Sequence, residues 1–191
     1  MARSGIWTDS WKELAIAALA VAVFALAAHL ISRPRVSSNE VNVYGKLKDL
    51  WAAEDAFRES HALDADADGT GEYGLLAHLD RPWVEGVQGD SAERNGYLYR
   101  VFLPVGVDSR EERWAAYAWP VEAGITGNRC FVINQEGQVY QAPNAGPLYD
   151  GEDSPATGDE AYAEGSTNLE GSIVSDGFES ADGQIWTPTG A

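Results

Sequence analysis

The residues best suited to chemistry lie in one short stretch, Asp64-Ala-Asp66-Ala-Asp68-Gly69-Thr70-Gly71-Glu72. Acids at alternate positions with glycine at the sixth give the spacing by which a loop wraps oxygen ligands around a hard, seven-coordinate cation. In that register Asp64, Asp66, Asp68 and Glu72 offer carboxylates and Thr70 its backbone carbonyl, so these residues are the candidate calcium ligands. The twelfth position, where such a loop calls for a bidentate acid, is Leu75. The motif is therefore half complete, and its composition equally suits a solvated acidic turn.

Other constellations are missing. His29, His61 and His78 have no serine or cysteine partner motif, and neither a glycine-rich phosphate loop nor HExxH occurs, so we expect no enzyme. Cys130 is the one cysteine, which excludes an internal disulfide, and its apolar neighbours Phe131, Val132 and Ile133 mark it as a small core residue. Trp83, Trp114, Trp119 and Trp186, with Tyr97, Tyr99 and Tyr117, read as core rather than as a binding face. With 13 Lys+Arg against 30 Asp+Glu the net charge is −17. Nucleic acid is excluded as a partner, because phosphate binding requires clustered cations.

The elements that would position these residues begin with an anchor. Residues 1–13 form a short N-terminal segment, and from Leu14 to Ile31 nothing carries a formal charge. As a helix this run is about 27 Å long against a hydrocarbon core of about 30 Å, so a transmembrane helix is expected over 14–31, in contact with membrane lipid. Trp7 and Trp11 before it, and Arg33, Pro34 and Arg35 after it, suit the two interfaces. Ala25-Leu-Ala27 also resembles a signal-peptide cleavage site, although we expect the N-terminus to be retained. Val43, Leu47, Leu50, Ala53 and Phe57 then recur at spacings of three and four, which predicts an amphipathic helix from about Val41 to Ser60. Pro34 either kinks the two helices apart or leaves them continuous.

Strands are predicted at Tyr97 to Pro104 and Trp114 to Pro120, and Asn134 to Gly137 reads as the turn of a hairpin joining Cys130–Ile133 to Gln138–Gln141. The expected fold is α+β: an N-terminal transmembrane helix, then an amphipathic helix packed on a small antiparallel sheet within residues 36–143. Residues 144–191 lack Lys and Arg and are rich in Gly, Ser, Pro, Thr and acid. This acidic tail is expected to be extended and irregular, held by its own domain or by a partner.

Two family resemblances follow from these residues. Lys12-Glu13 and the apolar run to Ala28, the Leu47–Glu59 helix, the Asp64–Gly74 loop and the Gly127–Tyr140 hairpin together resemble type IV pilin-like proteins, the pilins and pseudopilins. That resemblance implies a pilin-like structural subunit of a membrane assembly, contacting other protein subunits. It also implies a single-pass protein of the bacterial inner (cytoplasmic) membrane with its C-terminal domain periplasmic. The excess of Lys/Arg after the span points the other way, and we follow the resemblance. The stretch Thr8-Asp9-Ser10-Trp11-Lys12-Glu13 has neither the glycine nor the phenylalanine of a prepilin cut, so a fixed, uncleaved subunit is expected. Separately, Ala25-x-x-x-His29 with Leu30, Arg33 and Pro34 is similar to the helix of bacterial light-harvesting polypeptides. This implies His29 as a candidate bacteriochlorophyll ligand in an antenna-type subunit.

Overall fold

In the computed structural model, which describes residues 7–80, 83, 85–146, 148–162, 169, 173 and 185–189 and only the backbone of 7–11 and 25–35, one helix opens the fold. Helix α1 runs from Trp7 to Glu59, 53 residues, without a break at Pro34. The proline is thus accommodated inside the helix, at the loss of one amide donor. His61, at φ 54, takes the chain out of α1 through the left-handed region.

The chain divides into two compact units, Met1–Arg35 and Val36–Ala191. In the first, residues 12–24 are exposed throughout, and Leu14, Ile16, Leu19, Val21, Val23 and Phe24 are each exposed by 59% or more. Among the described residues no helix is long and apolar enough to cross a membrane. The transmembrane helix expected over 14–31 is therefore not borne out among them. Residues 14–24 measure about 16 Å as a helix, roughly half of a span. The rest of the run, 25–31, lies outside the residues whose side chains are described.

In the second unit the C-terminal part of α1 is followed by β1 (Val87–Gln88), β2 (Ser91–Arg94), β3 (Tyr97–Phe102), α2 (Val107–Glu112), β4 (Ala115–Pro120), β5 (Arg129–Asn134), β6 (Tyr140–Pro143) and β7 (Thr187–Pro188). The seven strands form one antiparallel sheet in chain order. The α+β class is as expected, with a larger sheet. The second strand of the hairpin sits at 140–143 rather than 138–141, and the Val139 carbonyl just before it accepts the Thr189 N–H at 2.9 Å. The elements unseen in the sequence are β1, β2, α2 and β7, none longer than six residues. A hydrophobic period cannot show itself over so few positions.

Alternation along the strands divides the sheet into two faces. Tyr97, Tyr99, Val101, Ala116, Ala118, Phe131 and Ile133 pack with Val43, Leu47 and Leu50 of α1. Register sets Tyr99, Ala118 and Phe131 in one cross-strand row and Val101, Ala116 and Ile133 in the next. Alanine at the centre of both rows leaves depth for the α1 side chains in the same cluster. Polar contacts then fix the helix along the sheet. Asn39 Nδ2 donates to the Thr126 carbonyl at 2.9 Å, and Trp51 Nε1 donates to the Gln135 carbonyl at 3.0 Å.

Leu98, Ala115, Tyr117, Trp119, Cys130, Val132 and Ala142 form the other face. It is covered by the segment read from sequence as a tail: Tyr149, Ala156, Ala161, Tyr162, Leu169, Ile173 and Trp186 are buried against it. Trp119 Nε1 donates to the Gly151 carbonyl at 2.8 Å, and the Ala161 N–H donates to the Tyr117 hydroxyl at 3.0 Å. The Tyr117 and Trp186 rings meet edge to face at 5.9 Å. Apart from β7 the described residues of 144–191 lie outside helices and strands, and of the two expected supports it is their own domain that holds them.

One core residue breaks the apolar face of α1. Glu54 is 0% exposed; its Oε2 accepts the Gly74 N–H at 2.9 Å, while Oε1 has no hydrogen-bond partner among the described residues. Burial pushes its carboxyl up to about 8 from a usual 4.5, with the Gly74 bond offsetting part of the rise.

Truncating Trp186 to Ala removes a fully buried ring from the second face and is expected to cost about 3–5 kcal/mol. Chemical denaturation of the full chain in mild detergent measures this, and a loss below about 1 kcal/mol would show the segment to be loosely held. For Glu54 the folded-state value lies above the unfolded one. Its contribution is therefore fully present below about pH 4.5 and lost as pH rises toward about 8. Glu54→Gln should erase that loss. In thermal melts its Tm should gain on the parent by on the order of 5 °C across that window. A difference that does not change with pH would contradict this.

Candidate metal centre

The acidic loop leaves α1 at its C-terminal end and folds back on it. Gly71 lies so close that a Cβ there would sit 1.9 Å from the Arg58 carbonyl oxygen, so no larger residue fits. The Glu72 N–H donates to the Leu63 carbonyl at 3.0 Å and closes the loop. Within it, Asp64 Oδ2 accepts the Gly69 N–H at 3.2 Å, Asp66 Oδ1 the Asp68 N–H at 3.2 Å, and Asp68 Oδ1 the Thr70 N–H at 2.7 Å. Gly69, at φ 93, supplies the left-handed turn that a side chain would oppose.

This geometry brings Asp64, Asp66 and Asp68 together, one carboxylate oxygen from each lying within 4.8 Å of the others. Like charges so close repel by roughly 1 kcal/mol per pair in water, and by more where solvent is excluded. Asp66 and Asp68 are exposed, and Asp64 is half-buried. Thr70 is exposed, and through its N–H it helps to shape the loop. Glu72 is 1% exposed, and its Oε1 accepts the Ala65 N–H at 2.9 Å, which holds the carboxylate against the loop between Asp64 and Asp66. His29 lies outside the residues whose side chains are described.

Glu111 on α2 is the acid that sequence reasoning missed. The Tyr73 N–H donates to the Arg110 carbonyl at 3.0 Å, and Arg58 Nη1 donates to the Glu111 carbonyl at 3.3 Å, so the end of α2 is fastened beside the loop. Loss of hydration raises the Glu111 carboxyl above its usual range, and repulsion from Asp68, Asp66, Asp108 and Glu72 raises it further. The only signal in the sequence was a second acidic cluster at Asp108, Glu111 and Glu112, with nothing to tie it to a loop far upstream.

Oxygen-only donors brought together as Asp64, Asp66 and Asp68 are suit a hard cation. Two surface cavities, of 430 and 440 Å³, are not lined by residues 64–72. The first is walled by acids, among them Glu93, Glu122 and Asp150; the second is floored by Phe57 and Trp83 beneath His78. His78 is engaged through Nδ1, which accepts the Leu75 N–H at 3.1 Å, and its ring stacks on Phe57 at 6.1 Å. Compared with known proteins, the chain matches no family model, no curated protein and no solved structure.

Proposed function

We propose that this chain is a non-catalytic, pilin-like structural subunit, anchored by the first part of α1 and carrying a domain that contacts other subunits of a membrane assembly. One observation carries the reading. A single helix presents exposed apolar side chains on every side over residues 14–24, and its later turns form the core seam of an antiparallel sheet. A helix apolar all round is stable only when lipid or other apolar helices cover it. The sequence extends the uncharged run to Ile31, which brings it to the length of a span. The likeness in element order to pilins and pseudopilins supports the same reading, with the domain on the periplasmic side of the inner membrane.

The anchor is tested by expressing the full chain in a bacterium and washing the membranes with alkaline carbonate. The parent should stay in the pellet. Leu19→Arg with Phe24→Arg should move it to the supernatant, because each arginine costs about 2.5–3.5 kcal/mol near a span centre. Recovery of the parent itself in the supernatant would overturn the reading.

A further inference from the structure

Considered as a chain segment, the acidic loop stops short of a full ligand set. Leu75, at its twelfth position, is 39% exposed and offers no side-chain donor. Tertiary structure supplies what the segment lacks. Three carboxylate oxygens are buried without a hydrogen-bond partner among the described residues: Asp64 Oδ1, Glu72 Oε2 and Glu111 Oε1. They come from the beginning of the loop, its end, and the helix fastened beside it. Glu72 is the most telling, because it is almost wholly buried and is held against the loop by the Ala65 N–H, between Asp64 and Asp66, while its second oxygen has no partner among the described residues.

A dry carboxylate oxygen with no partner is unfavourable, and a cation beside it would supply the missing interaction. The neighbouring arginines are directed elsewhere. Arg58 lies over the Tyr73 ring, pairs with Asp55 at 3.6 Å and donates to the Glu111 backbone carbonyl. Arg110 Nε donates to the Pro104 carbonyl at 3.2 Å.

We infer that residues 64–72 and Glu111 form one calcium site. Asp64, Asp66, Asp68, Glu72 and the Thr70 carbonyl come from the loop, and Glu111 stands in for the acid absent at position twelve. Calcium accepts six to eight oxygens in flexible geometry, whereas magnesium demands a tight octahedron and keeps its waters, so a loop joined to a separate helix suits calcium. Occupancy would tie the end of α1, the loop and α2 together through one ion.

The test is isothermal titration of the full chain in mild detergent with calcium chloride, with magnesium chloride in parallel, and thermal melts in both. The parent should bind one calcium and gain in Tm, and magnesium should bind at least tenfold more weakly. Asp66→Ala should lose the site. Glu111→Gln should weaken calcium at least tenfold while its metal-free Tm stays equal to or above the parent's, because it removes a repelling charge rather than a structural contact. Glu112→Gln, an exposed neighbour on the same helix, should bind as the parent does. No heat at millimolar calcium in the parent overturns the site, and parent-like affinity in Glu111→Gln overturns the role given to that residue.

Discussion

Strand β4 is buried along its entire length, so the middle of the sheet has no face that water can reach. Residues alternate in direction along a strand, which means that two separate apolar coverings are required, one for each side. Helix α1 supplies the first with Val43, Leu47 and Leu50, and the C-terminal segment supplies the second with Tyr149, Tyr162, Ile173 and Trp186. The rest of the domain follows from that requirement. The meander keeps consecutive strands adjacent, and the chain beyond β6 returns over the face that the helix leaves open before β7 joins the sheet edge. The described residues of this acidic segment are held here because their few large apolar side chains lie on one surface. Tyr117 and Trp119 then satisfy polar groups of the backbone that crosses them.

At the C-terminal end of α1 the balance is electrostatic. Glu54 and Glu72 are both almost fully buried, and each carboxylate keeps one oxygen on a backbone N–H and one without a partner among the described residues. Their surroundings separate them. Burial dominates at Glu54, where holding a proton relieves the charge. At Glu72 the neighbours are further carboxylates on the loop and on α2, and under the proposed site a shared cation would relieve them together. These two acids lie on either side of the same turn, and that turn couples helix, loop and α2 through the Gly71 contact and the Tyr73 hydrogen bond.

The first unit poses a different problem of covering. Its exposed leucines, valines and phenylalanine have no polar stripe between them, so no orientation against a single wet surface shields them all. Under the proposed reading the bilayer covers them.

The sequence by itself determined the elements whose signal is periodic and long: the apolar helix face at Val43, Leu47 and Leu50, strands β3 to β5, the loop register from Asp64 to Glu72, and the aromatic core. Each depends on residues near one another in the chain, where spacing alone fixes which side chains share a face. Tertiary structure decided the rest. It alone placed Glu54 in a dry core, because a carboxylate inside an apolar period reads the same whether a sheet covers it or water does. It alone closed the described part of the tail over the second face, because composition reports an average and five large side chains are lost in it. And it alone set Glu111 beside Asp66, Asp68 and Glu72, since no local pattern records which helix end will be fastened to a loop by one backbone hydrogen bond.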